Sequence, residues 1–378
     1  MPSSPSSVIS SPAAHRAPRP SAVVYCEDNF AAIDGKTANG LVRHSEAYRI
    51  VSVLDRRHAG HDAGTVLDGA ANGVPIHRDL DDALAQLSEV PDVFIFGLAP
   101  TSGMLSSHER RVVLAAMSCG MDIVNGLHEF LCDDAEFVAA SLTHRVRLID
   151  VRRPRDKKDL RTFSGAVLDV PCPRIAVLGT DCAIGKRTTA TVLTRALQAE
   201  GLRTVLVGTG QTGLMQGARH GLALDAVPAQ FAAGEMEAVV VAAYEAERPD
   251  VMVIEGQGAL SHPAYSSSAF ILKGSRPHGV ILQHAPGRPR LSDFTRFSTP
   301  TPASEIHLIE TFCDTRVIGL SLNHERLSDA ELSAAIAGYE ATLGLPATDA
   351  LSRSPDRLAR MVLDAFPQLL VESAVAAP

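Results

Sequence analysis

The chain has 378 residues, 46% of them apolar and 21% charged, and its formal net charge is −8. These values are typical of a globular protein that is long enough for two domains. The negative charge, the absence of Trp and the 4% of aromatic residues argue against a nucleic-acid partner. No apolar run predicts a membrane span, and the six scattered cysteines indicate a reduced, cytoplasmic protein without a metal site.

The two ends of the chain differ in composition from the rest. Residues 1–21 are rich in Ser, Pro and Ala and lack the apolar core of a secretory signal, so we predict a disordered tail. Residues 371–378 are predicted to form a second tail. Between the tails we expect a Rossmann-like domain over residues 22–151, a basic, Pro-containing linker over 152–173, and a P-loop NTPase-like domain over 174–370.

Short apolar runs alternate with helical patterns in both predicted domains, which is typical of βαβ architecture. The predicted strands of the first domain are Ala22–Tyr25, Tyr48–Leu54, Asp92–Phe96, Asp122–Val124 and Arg147–Val151. Those of the second are Ile175–Leu178, Thr204–Val207, Val251–Glu255, Gly279–His284 and Val317–Leu322. Helices are predicted at Asp79–Leu87, Ser107–Cys119, Lys186–Glu200 and Ser328–Leu343. The predicted fold class is therefore α/β, with two doubly wound domains, each built on a parallel sheet.

The segment GTDCAIGKRTTA (Gly179–Ala190) lies between a predicted strand and a predicted helix. Loop N–H groups, the helix N-terminus and Lys186 would together attract phosphate. Arg187 occupies the place of the hydroxyl that ligates Mg²⁺ in P-loop NTPases, so we expect a loop that binds pyrophosphate well and Mg²⁺–triphosphate poorly. The predicted cofactor-binding residues are Gly179, Thr180, Asp181, Gly185, Lys186, Arg187, Thr188 and Thr189.

Polar clusters follow several strands of the second domain, where the carboxyl ends of parallel strands form a common ligand-binding rim. Candidate proton acceptors, in descending order, are His284, His262 and Glu255. Glu255 has two further interpretations, as a metal ligand or as a structural carboxylate that holds Lys186. The candidate substrate ligands are Arg288, which can bind a carboxylate bidentately, and Gln211, Thr212 and Gln257.

Two polar segments of the first domain also follow predicted strands. Asp55–Gly64 and Gly126–Phe130 could form the opposite wall of a cleft, although a structural role is favoured for both. The turn Gly97–Gly103 is not a G-x-G-x-x-G fingerprint, so NAD is not predicted. The sequence also contains no G-x-S-x-G nucleophile elbow.

Six segments together resemble the D-glutamate N-acetyltransferase family, and the resemblance extends from about Ala22 to Leu370. They are LDRRHAGHDAG (Leu54–Gly64), GLHEFL (Gly126–Leu131), DVRRP (Asp150–Pro154), GTDCAIGKRTT (Gly179–Thr189), GTGQTG (Gly208–Gly213) and EGQGALSHP (Glu255–Pro263). The resemblance implies acetyl transfer from acetyl-CoA to the amine of D-glutamate. CoA carries a pyrophosphate but transfers no phosphoryl group, so Arg187 could pair with one of its phosphates.

Two other classes of function remain open at the level of sequence. One is an ATP-dependent ligase or kinase of the dethiobiotin-synthetase-like class that acts on a small carboxylate. In that class Lys186 and Thr188 would bind Mg²⁺–ATP and Glu255 the metal. The other is a non-catalytic nucleotide sensor. We expect a small-molecule amino acid substrate and a homodimer or higher homo-oligomer, with neither a nucleic-acid nor a membrane partner.

Overall fold

The computed structural model describes residues 18–370 except Ile33 and Thr101. Of the two predicted tails, residues 1–17 and 371–378 lie outside the described part, and Ser21, the last residue of the predicted N-terminal tail, belongs to a strand. The described residues form two α/β domains, each on a parallel sheet, which confirms the predicted fold class. No helix within the described residues is long and apolar enough to cross a membrane.

The N-terminal sheet has six parallel strands in the order β3-β2-β1-β4-β5-β6, which is the order of a Rossmann sheet. The strands are β1 (Ser21–Tyr25), β2 (Arg49–Leu54), β3 (Ile76–His77), β4 (Val93–Phe96), β5 (Asp122–Asn125) and β6 (Leu148–Asp150). The helices are α1 (Lys36–Arg43), α2 (Ala63–Asp68), α3 (Leu80–Gln86), α4 (Ser107–Ser118) and α5 (Ala135–His144).

The C-terminal sheet has seven parallel strands in the order β13-β12-β11-β7-β10-β8-β9. They are β7 (Arg174–Gly179), β8 (Thr204–Gly208), β9 (His220–Gly221), β10 (Val251–Glu255), β11 (Gly279–His284), β12 (Arg316–Leu322) and β13 (Ala347–Asp349). The helices are α6 (Lys186–Ala199), α7 (Gln211–Gln216), α8 (Ala229–Glu247), α9 (Ser267–Ser275), α10 (Pro302–Phe312), α11 (Asp329–Leu343) and α12 (Asp356–Ala365).

All predicted strands and helices are present, with ends that differ by no more than a few residues. The strands were predictable because they are apolar on both faces, as strands covered by helices must be. Helix α11 begins at a capping box formed by Ser328 and Glu331, a signal readable from sequence. Helix α8 was not predicted, because its 19 residues are apolar around most of its circumference and lack a clear period.

The predicted linker packs closely on the C-terminal domain. The carboxylate of Glu237 in α8 accepts N–H bonds from Ser164 (2.7 Å) and Gly165 (2.8 Å). Val167 is fully buried in the core of the same domain. At the other end of the segment, Arg152 pairs with Asp225. The connection is therefore fixed to the domain that follows it.

Helices α1 and α7 form the junction between the domains. The hydroxyls of Thr37 and Thr212 lie 2.8 Å apart within hydrogen-bond distance. The Gln216 amide donates to the carbonyl oxygens of Gly40 and His44, each at 2.6 Å. Met215 of α7 is buried in the core of the N-terminal domain. These contacts place α7 at the junction between the two domains.

Candidate active site

The phosphate loop connects β7 to α6. Gly185 caps the helix with φ of 103°, a conformation that favours glycine. A Cβ at Gly179 would lie 2.9 Å from Cδ of Lys186, so glycine there lets the lysine side chain fold back over the loop. Lys186 is buried and donates to the main-chain oxygen of Asp181 at 2.5 Å. Burial lowers the pKa of Lys186, because it disfavours the charged ammonium, and a bound anion would act in the opposite direction.

Arg288 clamps the loop from the side of β11 and β12. Its guanidinium donates to the fully buried carboxylate of Asp181 (3.0 Å) and to Glu325 (2.5 Å). The same Asp181 oxygen accepts the N–H of Ser292 at 2.9 Å. Arg288 was predicted to bind substrate, and that role remains a prediction. Its two carboxylate partners favour a structural role, because a substrate would have to displace one of them.

The first-ranked proton acceptor, His284, lies at the end of β11. Its Nδ1 lies 2.8 Å from the hydroxyl of Thr180, and its ring meets Tyr339 edge-on. Burial lowers the pKa of His284 to about 4. The imidazole is therefore neutral at neutral pH, but it holds a proton weakly, which makes it a poor base for an ammonium group.

The two threonines after Arg187 differ in their surroundings. Thr189 donates to Oε1 of Gln283 in β11 at 2.6 Å and is buried on the sheet side of α6. Thr188 is half-buried, and its hydroxyl makes no hydrogen bond to any described residue. Both threonines are predicted cofactor ligands. The Thr189 hydroxyl is already bonded to the sheet, whereas the Thr188 hydroxyl is free to bond a ligand.

Glu255 ends β10 next to the start of α7. Its Oε2 accepts the N–H of Thr209 at 3.0 Å, and a Cβ at Gly213 would lie 2.4 Å from the same atom. Burial raises the pKa of Glu255, while Arg187 and Lys186 act in the opposite direction. No ion pair within 4.0 Å joins Glu255 to Lys186 in the described part of the chain. The carboxylate is therefore held by main-chain donors, with two cations nearby.

Arg187 points across the junction between the domains. Its half-buried guanidinium lies against α1, where a Cβ at Gly40 would be 2.5 Å from Nη2. It forms no ion pair with any described residue, and burial lowers the pKa of Arg187. Glycine at position 40 is therefore what allows α1 to approach the guanidinium. The sequence contains no local signal that identifies this contact.

The remaining predicted substrate ligands differ in how far they are already bonded. The Thr212 hydroxyl is shared with Thr37, and the Gln257 amide donates to the carbonyl of Thr209. Gln211 is buried beside Gly126 of the N-terminal domain, and its amide makes no hydrogen bond to the described residues. Gln211 is thus the predicted substrate ligand whose hydrogen-bonding groups remain free.

His262 lies above the loop on the segment after β10. Its ring stacks on Tyr265 at 4.5 Å, and one ring nitrogen lies within 4.8 Å of Asp181 and Cys182 ligand atoms. Burial raises the pKa of the Cys182 thiol to about 11. The thiol is therefore protonated at neutral pH, which favours a packing role over a nucleophilic one. Asp181 and His262 are 81 positions apart in the sequence, which is why their proximity could not be predicted from spacing.

The first of the two polar segments of the N-terminal domain, Asp55–Gly64, is held by hydrogen bonds within its own domain. Asp55 is fully buried and accepts the N–H of Asp28 (2.7 Å) and contacts Nδ1 of His58 (2.5 Å). Asp62 caps α2 and accepts the N–H groups of Asn72 and Gly73. These contacts agree with the structural role favoured from sequence for Asp55–Gly64, whereas Gly126 of the second segment lies against Gln211 and Met215 of the C-terminal domain.

A phosphate loop on a parallel sheet, joined to a Rossmann-like domain, defines a two-domain P-loop protein. Residues 161–359 match the family "Domain of unknown function (DUF1611_C) P-loop domain", and residues 56–154 match "Domain of unknown function (DUF1611_N) Rossmann-like domain". The chain belongs to the DUF1611 family.

Curated relatives and a solved structure extend this assignment. Proteins named D-glutamate N-acetyltransferase from Pseudoalteromonas sp. and Tritonibacter scottomollicae are each 30% identical over 271 residues, which is 70% of this chain and 79% of the relative. The crystal structure of a DUF1611 family protein from Anabaena variabilis is 33% identical. It covers 92% of this chain and 100% of its own, with a TM-score of 0.84. The resemblance stated from sequence is confirmed at the level of the family.

Proposed function

We propose that this protein transfers an acetyl group from acetyl-CoA to the amine of D-glutamate. The two curated relatives carry the name of this activity, and the chain spans 79% of each. The observation that carries the proposal within the structure is Arg187, a cation without an ion-pair partner among the described residues, at the position where a Mg²⁺-dependent NTPase needs a hydroxyl.

The phosphate loop would hold the pyrophosphate of CoA. Main-chain N–H groups at the start of α6 and the buried Lys186 supply the positive potential. Binding needs no metal ion, because no phosphoryl group is transferred. The loop is stiffened by Arg288 and by the contact of His284 with Thr180, so little order must be gained on binding.

The amino acid would bind at the junction of the domains. Arg187 reaches the junction, where it can bind a carboxylate bidentately, and the free amide of Gln211 lies on the adjoining helix. Glu255 interacts electrostatically with Arg187. An α-amino acid held by its carboxylate at Arg187 would thus present its amine towards Glu255.

Glu255 is the proton acceptor that the geometry favours. Because burial raises the pKa of Glu255, its basicity is closer to neutral pH than that of an exposed carboxylate. Glu255 would take a proton from the ammonium, the nitrogen would attack the thioester carbon, and the C–S bond would break. The nitrogen would lose a second proton as the amide forms, and the released CoA thiolate would take up that proton. This ranking differs from that made from sequence, which placed His284 first.

Binding and turnover tests separate this proposal from the ligase alternative. A ligand at 100 times its Kd stabilises a protein by about 2.7 kcal/mol, which a melting experiment detects. Acetyl-CoA should raise the melting temperature, and mixing it with D-glutamate should release CoA thiol and N-acetylglutamate. L-glutamate serves as the matched substrate control. A melting temperature raised by Mg²⁺–ATP alone, together with ATP turnover, would support the ligase instead.

The assignment of the base can be tested with two variants. Glu255→Gln keeps an oxygen that can accept the Thr209 N–H but removes the basic carboxylate, so kcat should fall by about 10²- to 10⁴-fold. Acetyl-CoA affinity, measured by calorimetry, should stay unchanged. His284→Asn is the matched variant and should keep most of kcat. The opposite pattern would return the role to His284.

A further inference from the structure

The His262 ring is fixed from two sides. One face stacks on Tyr265, with ring centres 4.5 Å apart and planes inclined by 13°, and Phe294 meets it edge-on at 5.6 Å. Its Nδ1 accepts the main-chain N–H groups of Ala264 (3.2 Å) and Tyr265 (3.3 Å). The side chain is only 7% exposed. Neither rotation nor a ring flip is possible without the loss of these contacts.

These contacts determine which nitrogen carries the proton. Burial lowers the pKa of His262 and outweighs the opposite influence of Asp181 and Asp293, so the ring is neutral at neutral pH. A neutral imidazole has one N–H, and Nδ1 faces two donors. The proton is therefore on Nε2. This atom is buried and has no hydrogen-bond partner among the described residues.

A metal ion would not explain the unpartnered atom, although Asp181, Cys182 and His262 lie close together. A metal-bound histidine donates from its second nitrogen to an acceptor, whereas Nδ1 here faces two N–H donors. In addition, Oδ2 of Asp181 already accepts bonds from Arg288 and Ser292. The Nε2–H therefore lacks an acceptor among the described residues, and the ring lies beside Asp181 and Cys182 of the phosphate loop.

We propose that His262 donates its Nε2–H to an oxygen atom of the ligand held by the phosphate loop, either a phosphate oxygen or the carbonyl oxygen of the acetyl thioester. The choice of acetyl-CoA as ligand rests on the proposed function. A donor in this role stabilises negative charge that is present on phosphate or develops on the thioester oxygen. His262 is then a fixed donor and takes no proton from the substrate, which reverses the role predicted from sequence.

Two substitutions separate a donor from a base. His262→Phe preserves the stack on Tyr265 and removes the donor, while His262→Gln offers an amide N–H near the position of Nε2. His307→Ala, on the exposed surface of α10, is the matched control. Calorimetry with inorganic pyrophosphate, CoA and acetyl-CoA measures binding, and the pH dependence of kcat measures any proton transfer. Circular dichroism checks that each variant folds.

The donor assignment predicts a loss of about 10- to 100-fold in affinity or kcat for His262→Phe, with substantial recovery in His262→Gln and an unchanged acidic limb in the pH profile. A loss shared by all three probes identifies a phosphate oxygen. A loss confined to acetyl-CoA or to kcat identifies the thioester oxygen.

Three results would overturn the assignment. The first is a His262→Phe variant with wild-type affinity for every probe and wild-type kcat. The second is a His262→Gln variant as impaired as His262→Phe, with the acidic limb lost. The third is a wild-type protein that binds none of the probes, which would also remove the phosphate-loop proposal. If only the proposed function fails, the wild type binds pyrophosphate or CoA but transfers no acetyl group, and the binding measurements still decide the role of His262.

Discussion

Each of the two domains is built on a parallel sheet with a central switch point. The residues that follow the central strand are acidic in the N-terminal domain and basic in the C-terminal domain. β1 is followed by Glu27 and Asp28, and the buried Asp55 accepts the Asp28 N–H and contacts His58. β7 is followed by the phosphate loop, with Lys186 and Arg187 at the start of α6. Among the described residues, neither cation has a carboxylate partner within 4.0 Å. Topology supplies a rim in both domains, but side-chain charge decides which rim can bind an anion.

The largest effect should come from removing the cation that supports the C-terminal loop. Arg288→Ala would leave Asp181 as an unpaired carboxylate with no solvent exposure, which costs about 3–5 kcal/mol of the free energy of unfolding. Urea denaturation measures this loss. In the N-terminal rim, His58→Ala removes a partly exposed partner of Asp55 and should cost about 1.5 kcal/mol. Equal losses would contradict the view that the buried Arg288–Asp181 pair contributes more to stability than the His58–Asp55 pair, whose histidine is partly exposed.

A smaller effect is expected from the loop lysine, and it should appear in binding rather than in folding. Lys186→Ala should weaken acetyl-CoA binding about 10- to 100-fold, or roughly 1.5–3 kcal/mol, because hydrogen bonds to charged groups contribute that much. Calorimetric titration measures the affinity and a melting curve checks the fold. Arg56→Ala, which removes an exposed cation from the N-terminal rim, is the control and should leave the affinity unchanged. An equal loss in both variants would show that the two rims share the ligand.

The smallest effect concerns the contact through which the domains meet. Gly338→Ala in α11 has open space around it and should stabilise the protein by about 0.5–1 kcal/mol through helix propensity. Gly40→Ala in α1 would gain the same propensity but would collide with the Arg187 guanidinium. The Gly40→Ala variant should therefore lack this stabilisation. Its KM for D-glutamate should rise, because the displaced Arg187 would bind the substrate carboxylate less well. Chemical denaturation and steady-state kinetics compare the two variants, and identical behaviour would show that the junction tolerates displacement of Arg187.

The sequence by itself determined the elements whose signal is local. Apolar runs predicted the central strands of both sheets, and the pattern of Gly179, Gly185 and Lys186 predicted the phosphate loop between β7 and α6. These predictions succeed because hydrophobic burial and backbone conformation act over a few neighbouring residues. The same reasoning failed for α8, whose apolar surface has no clear period, and for the two-residue strand β9.

Only the tertiary structure decided which polar residues remain free to act. Arg288 and His284 are occupied by Asp181 and Thr180, whereas Arg187 meets Gly40 from the other domain. Each of these pairs is separated by more than 100 residues, so no spacing in the sequence reports it. The charge and proton position of a side chain depend on its neighbours in space, because burial and hydrogen-bond partners set its pKa. The residue types were therefore readable from the chain, while their roles emerged only once the two domains had packed together.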